Sequence, residues 1–197
     1  MVIGITGPVA SGKSTFCRFL KEFLGAAWLN LDELAKELYQ EDKIRQKIRR
    51  EISEAAYSLD EEPNFNVLRR LVFYKPEKLQ QLENILYPEL KKKVLALIQG
   101  PEKNRLYLIE GVKLEQAGLL WACDLVVAVL ADRRKQEERL VTRGLPASFI
   151  QALLAAQPST GYYYRLADCV IINNGSIDEL KKKAEYVASR LIQNEPV

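Results

Sequence analysis

The stretch VIGITGPVASGKST, residues 2–15, decides the fold of this 197-residue chain. Its first five residues are apolar and rich in β-branched side chains, which favours a buried parallel strand. Residues 7–14 fit the pattern G-x-x-x-x-G-K-[ST]. An amphipathic helical pattern follows and ends at Gly25, a residue typical of helix C-termini. The order of strand, glycine-rich loop and helix predicts a loop that binds phosphate groups.

Each part of such a loop has a chemical role. Gly7 and Gly12 allow backbone N–H groups to point at phosphate oxygens, and the helix N-terminus adds the positive end of its dipole. We expect Lys13 to reach the terminal phosphates and the Ser14 hydroxyl to hold Mg²⁺. The alternative is a glycine turn with a chance lysine, which the agreement between the motif and its context disfavours.

The composition favours one compact α/β domain. Hydrophobic residues make up 48% of the chain, and the net charge of +3 does not argue for a nucleic-acid partner. Cysteines 17, 123 and 169 show neither disulfide nor zinc spacing, which is typical of a reducing compartment. The chain has no histidine, and this excludes Ser-His-Asp and Cys-His catalysis as well as histidine metal sites.

The location of the protein is expected to be cytoplasmic. No apolar run approaches the roughly 20 residues of a membrane span. The first strand pattern begins at residue 2, so we expect no secretory signal peptide. We also expect a monomer with no membrane or nucleic-acid partner.

Five strand patterns recur along the chain, at residues 2–6, 27–30, 106–110, 124–131 and 169–172. Helical patterns separate them, which predicts a parallel sheet with right-handed crossovers. The helices are predicted at residues 32–39, 43–56, 66–74, 76–99, within 133–166, and at 176–192. Pro88 should kink or break the fourth of these near Tyr87. Ser176 is the predicted N-cap of the last.

Two acidic residues end predicted strands. Asp32 follows the second strand, where it could orient an acceptor hydroxyl, take its proton or support Mg²⁺. Its alternative role is an N-cap of the following helix. Glu110 ends the third strand at a position that usually steadies Mg²⁺, and a solvated strand end is the alternative.

A basic cluster follows the fourth strand. Arg139 and Arg143 are i,i+4 neighbours that share a helix face and could stabilise the charge on a transferring phosphoryl group. Glu137 and Glu138 lie among the basic residues, so a solvated face of ion pairs is the alternative.

Together these residues resemble the dephospho-coenzyme A kinase family over nearly the whole chain. In LNLDELA, residues 29–35, Asp32 corresponds to the second aspartate of the family's D-A-D segment and Asn30 to the first. Further matches are the loop at 4–15, LVF at 71–73, KL at 78–79, LE at 82–83, Q-x-x-R-L-x-x-R at 136–143, Gln157, AD at 167–168 and NNGS at 173–176. Tyr87 stands where the family has histidine, and Leu153 where it has a lid arginine.

The resemblance implies an α/β, three-layer P-loop kinase fold with a five-stranded parallel sheet. Residues 1–197 would form a single P-loop kinase domain. Its core would comprise residues 1–32, 100–132 and 167–197, with a helical acceptor-binding insertion at about 33–99 and a helical lid at about 133–166.

The resemblance also implies transfer of the γ-phosphoryl group of ATP, with Mg²⁺, to the ribose 3′-hydroxyl of dephospho-CoA, the last step of coenzyme A synthesis. Asp32 would be the base, and the turn at 173–176 the wall beside the adenine. The implied catalytic residues are Lys13, Asp32, Arg139 and Arg143. Those for the nucleotide are Gly7, Ala10, Ser11, Gly12, Lys13, Ser14, Thr15, Asn174 and Gly175; those for the acceptor are Thr6, Asp32, Tyr87 and Glu110; and Ser14 would bind the metal.

Two other functions remain alternatives. One is a small P-loop kinase with a nucleoside or nucleotide acceptor, and the other is a catalytically silent nucleotide-binding module. The long insertion and the motifs at both ends disfavour the first. The joint presence of Lys13, Ser14, Asp32 and Arg143 disfavours the second.

Overall fold

A five-stranded parallel sheet forms the centre of the protein. The structure, a computed structural model, describes residues 1–73, 75–102 and 105–195. The strands are β1 (Val2–Thr6), β2 (Ala27–Asn30), β3 (Tyr107–Glu110), β4 (Leu125–Leu130) and β5 (Cys169–Ile172). They lie in the order β2-β3-β1-β4-β5, and every neighbouring pair is parallel. The predicted α/β fold with a five-stranded parallel sheet is confirmed.

Helices fill the intervals between the strands. They are α1 (Lys13–Leu24), α2 (Leu31–Leu38), α3 (Asp42–Glu51), α4 (Phe65–Phe73), α5 (Pro76–Gln99), α6 (Arg133–Thr142), α7 (Ala147–Ala155), α8 (Thr160–Leu166) and α9 (Ile177–Ile192). Short 3₁₀ turns lie at Glu54–Ala56 and Leu120–Ala122. Among the described helices, none combines the length and the apolar character needed to cross a bilayer.

The sheet is covered on both faces, because side chains alternate along each strand. On β4, Val127 and Val129 pack in one cluster with α1 and α9, whereas Ala128 and Leu130 pack with Tyr163 of α8. Helices α2, α3 and α5 share a further cluster that includes Ile109 of β3. The nearly continuous apolar runs in the sequence are therefore strands buried between two helical layers.

Several helix ends follow the chemistry of their end residues. The Ser176 hydroxyl accepts a hydrogen bond from the backbone N–H of Glu179 and caps α9, as predicted. Gly25 ends α1 in the left-handed conformation with φ of 61°. These two ends were predictable because a single residue determines each.

The predicted helix at 43–56 is too long. Helix α3 ends at Glu51, and Ser53 lies in an extended conformation. The Ser53 hydroxyl accepts a hydrogen bond from the backbone N–H of Ala55, so it begins a separate 3₁₀ turn. Tyr74, the last residue of the helix predicted at 66–74, lies outside the described residues.

Pro88 was predicted to kink or break this helix, and the break is wrong, because α5 is one helix from Pro76 to Gln99. A proline inside a helix costs about 3 kcal/mol relative to alanine. Each fully buried leucine or isoleucine contributes about 1.5–3 kcal/mol. Six residues of α5 are buried on both sides of the proline, namely Leu82, Ile85, Leu86, Leu90, Val94 and Ile98. Tertiary packing therefore outweighs the local defect.

We expect Pro88→Ala to raise the free energy of unfolding by about 1–3 kcal/mol, because alanine restores a backbone donor in the interior of α5. Pro88 is exposed, so little packing is lost. The control is Pro76→Ala at the first turn of the same helix, where the missing N–H has no helical partner, and this change should give no gain. Urea denaturation of the two variants measures the difference, and equal effects would contradict this account.

Candidate active site

The phosphate loop has a backbone that only certain residues can adopt. Gly7, Ala10 and Gly12 have positive φ values of 141°, 57° and 103°. A Cβ atom at Gly7 would lie 2.0 Å from the carbonyl oxygen of Val129, and one at Gly12 would lie 2.1 Å from Nδ2 of Asn173. Both glycines are therefore required by close approach as well as by conformation. The loop fits tightly against the ends of its neighbouring strands.

Two polar side chains of this loop lie buried. Among the described residues, the buried Ser11 hydroxyl has no hydrogen-bond partner, so it is available for a phosphate oxygen. The Lys13 ammonium donates to the carbonyl oxygen of Pro8 at 2.9 Å. Burial lowers the pKa of Lys13, and the carboxylates of Glu110 and Asp32 partly oppose this shift. A bound anion would compensate the buried charge.

Glu110 connects three elements of the site. Its Oε1 accepts from the Ser14 hydroxyl at 2.6 Å, and its Oε2 accepts from Nε1 of Trp28 and Nδ2 of Asn30, both at 3.1 Å. Burial raises the pKa of Glu110, against the hydrogen bond from Ser14 and the charge of Lys13. Glu110 is only 5% exposed, so the alternative of a solvated strand end does not hold.

Asp32 lies in the first turn of α2, and it is not the N-cap. The cap is Asn30, whose Oδ1 accepts from the backbone N–H groups of Asp32 at 2.9 Å and Glu33 at 3.3 Å. The exposed Asp32 lines a cleft beside the phosphate loop. The alternative role of Asp32 as a cap is therefore wrong, and its carboxylate remains available for chemistry.

Arg139 contacts the phosphate loop itself. Its guanidinium donates to the carbonyl oxygens of Ala10 at 3.0 Å, Ser11 at 3.2 Å and Asn173 at 2.9 Å. Burial lowers the pKa of Arg139, and the charge of Arg143 adds to the effect. These contacts hold the loop through its carbonyl oxygens and give Arg139 a structural role in this conformation.

Arg143 differs from the other basic residues of its segment. Arg133 pairs with Glu137, and Arg134 and Lys135 pair with Glu138, so the predicted face of ion pairs exists on α6. Arg143 follows the helix as its C-cap residue and is exposed. Its charge contributes to lowering the pKa of Lys13. The acidic residues Glu137 and Glu138 thus pair with basic residues of the first turn of α6.

The turn after β5 packs against the loop and against α6. Nδ2 of Asn173 donates to the carbonyl oxygen of Ser11 at 2.7 Å. Oδ1 of Asn174 accepts from the backbone N–H of Asp132 at 2.8 Å. Gly175 lies against Glu179, because a Cβ atom there would be 2.0 Å from the carboxylate. This turn therefore fixes the position of the loop relative to the start of α6.

The remaining predicted residues lie around the same edge of the sheet. Thr6 is buried, and its hydroxyl donates to the carbonyl oxygen of Val112 at 3.1 Å. Thr15 lies in the first turn of α1, beside Ser14. Tyr87 lies on α5 and lines the same cleft as Asp32.

This cleft has a volume of about 440 Å³. Its walls come from α2, α4, α5, the segment after β3 and the end of α7, and most of its lining is apolar. The polar lining includes Glu83, which accepts a hydrogen bond from Nζ of Lys113 at 2.5 Å. Burial raises the pKa of Tyr87, and the neighbouring Glu83 carboxylate raises it further. The cleft can therefore take a ligand with both apolar and polar groups.

The segment α6–α8 touches both the loop and the cleft. Oε1 of Gln157 accepts from the backbone N–H of Val9 at 3.0 Å, and its Nε2 donates to the carbonyl oxygen of Leu153 at 3.2 Å. Leu153 and Gln157 both line the cleft. The apolar side chain of Leu153 faces the ligand space where the resembled family has arginine.

Sequence reasoning missed several residues of this site. Trp28 and Asn30 were not predicted to contact Glu110, although alternation along β2 places them on one face and the strand ends meet there. Gln157 and Asn173 were visible only as parts of motifs. Their roles depend on contacts between segments far apart in the chain.

Comparisons with known proteins indicate one family. A family model described as dephospho-CoA kinase matches residues 1–179. The chain is 30% identical to a dephospho-CoA kinase from Chlorobaculum tepidum, with 98% of this chain and 95% of the relative covered. It is 29% identical to a dephospho-CoA kinase from Dehalococcoides mccartyi, with 98% of each covered. The crystal structure of TT1252 from Thermus thermophilus superposes with a TM-score of 0.75 at 27% identity, over 97% of both chains.

We expect Arg139→Ala to lower the free energy of unfolding by about 1–3 kcal/mol, because it leaves three acceptors of the loop region without their donor. The matched control is Arg143→Ala, which removes an exposed side chain and should change stability by no more than about 0.5 kcal/mol. Urea denaturation of both variants provides the measurement. Similar losses in the two would show that Arg139 does not support the loop.

Proposed function

The chain belongs to the dephospho-CoA kinase family, and from this premise we propose that it transfers the γ-phosphoryl group of ATP to the ribose 3′-hydroxyl of dephospho-CoA. The product is coenzyme A. The observation that carries the proposal is that the phosphate loop adjoins a 440 Å³ cleft lined by Asp32, because Gln157 lines this cleft and accepts a hydrogen bond from the backbone N–H of Val9 in the loop. A donor site and an acceptor site meet there.

On the donor side, we propose that Gly7, Ala10–Thr15 and the turn at 173–176 bind ATP. The unpartnered Ser11 hydroxyl and the buried Lys13 ammonium support this, because both suit phosphate oxygens. Ser14 would hold Mg²⁺, which supplies neutralisation of charge between the phosphates. The fit is good, since the Ser14 hydroxyl donates a hydrogen bond to Glu110 and keeps its lone pairs for a cation.

On the acceptor side, Asp32 would accept the proton of the 3′-hydroxyl as its oxygen attacks the γ-phosphorus. The new O–P bond forms while the bond from the γ-phosphorus to the bridging oxygen breaks, and ADP leaves. Thr6, Tyr87 and Glu110 would shape the acceptor site. Two observations support this role of Asp32. Its side chain is exposed, and Asn30 caps the helix, so the Asp32 carboxylate is not used as the cap.

We further propose that residues 33–99 bind the acceptor and that residues 133–166 act as a lid within a single domain. The contact of Gln157 with the loop supports this, since movement of this segment would alter the donor site and the cleft together. Arg143 would meet charge that develops in the transition state. We propose that the enzyme works as a cytoplasmic monomer.

The direct test is incubation with Mg²⁺, ATP and dephospho-CoA, followed by mass spectrometry and identification of the phosphorylated position. Coenzyme A should form. A parallel set of acceptors should include a nucleoside, a nucleoside monophosphate and a small alcohol. Phosphorylation of one of these with no reaction of dephospho-CoA would overturn the proposal, and so would binding of ATP without transfer to any acceptor.

Lys13→Met should lower kcat/KM by about 10²–10³-fold, because a positive charge on the terminal phosphates is lost while the aliphatic chain is kept. Thermal unfolding should show that the variant still folds. Lys21→Met on the exposed side of the same helix is the control and should retain activity. Near-normal kcat/KM for Lys13→Met would contradict the role of this lysine.

Asp32→Asn should lower kcat by roughly 10²–10⁴-fold with little change in the KM for ATP, because the shape is kept and the base is removed. Glu33→Gln is the matched control, since Glu33 is exposed in the same turn. Steady-state kinetics compare the two. If both variants keep the wild-type kcat, Asp32 is not the base.

Arg143→Ala should lower kcat by on the order of 10²-fold and alter the KM for dephospho-CoA only slightly. Arg143→Lys should recover part of the loss, because an ammonium cannot copy the planar fork of the guanidinium. Arg134→Ala, which breaks a surface ion pair of α6, serves as the control. Activity of Arg143→Ala within a few-fold of wild type would show that other residues of the lid perform this role.

A further inference from the structure

The Asn30 side chain makes contacts on two sides, and both are close. Its Oδ1 accepts from the backbone N–H groups of Asp32 and Glu33 at 2.9 and 3.3 Å. Its Nδ2 donates to Oε2 of Glu110 at 3.1 Å. One amide therefore contacts the start of the helix that carries Asp32 and also the buried carboxylate that accepts a hydrogen bond from Ser14 of the phosphate loop.

The direction of this amide is fixed by its partners. The reverse orientation would set Nδ2 against two N–H donors and Oδ1 against the Glu110 carboxylate, so every contact would be unfavourable. Only an asparagine in the present orientation supplies an acceptor to α2 and a donor to Glu110 together. A serine or an aspartate could cap the helix, but neither would carry the amide donor.

Strand register explains why these groups meet. Asn30 pairs with Glu110 across the parallel strands β2 and β3, and Trp28 lies two residues earlier on the same face of β2. The indole N–H of Trp28 donates to the same Oε2 atom. Oε2 thus receives two N–H groups from β2, while Oε1 faces the Ser14 hydroxyl.

We infer that Asn30 is a positioning residue that holds Glu110 and the first turn of α2 in one arrangement, so that the donor and acceptor sides keep a fixed relation. The contacts of the Asn30 side chain are with Glu110 and with the backbone of α2. Asn30 acts through Glu110, and through Glu110 on Ser14, and through the backbone of Asp32. Its kinetic consequence rests on the proposed function, whereas its structural consequence does not.

The structural test is a double-mutant cycle followed by urea unfolding. Asn30→Asp keeps the cap but places a second carboxylate against Oε2 of Glu110, so the midpoint of unfolding should fall. Adding Glu110→Gln removes the like-charge contact and provides an amide donor to the new carboxylate. The double variant should therefore be more stable than the sum of the two single effects predicts. Additive effects would overturn the inference, whether or not the protein has kinase activity.

The kinetic test uses Asn30→Ser, which keeps a capping oxygen but lacks the amide donor and adds no charge. Its kcat should fall with little change in the KM for ATP, and Asn30→Asp should lose more, on the order of 10²-fold, because small misplacements of catalytic groups are costly. Trp28→Phe removes the other donor to Oε2 without affecting the cap, and it should also lower kcat. Wild-type kcat in Asn30→Ser and in Asn30→Asp would mean that Asn30 is only a helix cap.

If dephospho-CoA is not phosphorylated by the wild-type protein, the proposed function fails and the unfolding cycle still tests Asn30. If the wild-type protein is active and the cycle is additive, the function stands and the role of Asn30 fails. Asn30→Ser keeps the test valid if Asn30→Asp does not fold.

Discussion

The arrangement of the site depends on one buried carboxylate. Glu110 lies at the end of a central strand with almost no exposure to solvent, and a charge in that position is stable only with hydrogen-bond donors and an opposite charge nearby. Ser14, Trp28 and Asn30 supply the donors, and Lys13 supplies the charge. These residues come from α1 and β2. The hydrogen bonds of this single carboxylate therefore connect the phosphate-loop helix α1 with the edge strand β2, next to the start of α2.

The opposite side of the phosphate loop is held in a different way. There the loop carbonyl groups are the acceptors, and Arg139 and Asn173 are the donors. In addition, the side-chain carbonyl of Gln157 accepts a hydrogen bond from the backbone N–H of Val9. Inward-facing N–H groups are the feature that a phosphate site needs, and a loop that curls to present them turns some of its carbonyl groups outward. The guanidinium of Arg139 satisfies two of these together, which a single lysine ammonium would do with less defined geometry.

The fold and the backbone conformation of the phosphate loop were largely predictable from the sequence, and the reason is local. A phosphate loop is specified by backbone conformation, so Gly7, Gly12 and Lys13 carry their signal at fixed spacing, and the apolar runs of β3 and β4 indicate strands covered on both faces. The continuity of α5 through Pro88 was not predictable, because six buried side chains outweigh a local rule. The length of α3 was overestimated, since Ser53 begins a new turn within an otherwise helical pattern.

The cap of α2 shows where sequence reasoning reaches its limit. Asn30 and Asp32 are both good capping residues and lie two positions apart, so propensity alone cannot choose between them. The choice is made by Glu110, about 80 residues later in the chain, because its buried oxygen requires a donor and only the asparagine amide can supply one while it caps the helix.

With Asn30 as the cap, Asp32 lies in the first turn of the helix, and its carboxylate faces the cleft instead of its own backbone. The availability of a candidate base thus follows from a long-range contact of its neighbour. Side-chain pairings across a sheet, which depend on register, determined the chemistry here, and register becomes known only when the strands are placed side by side.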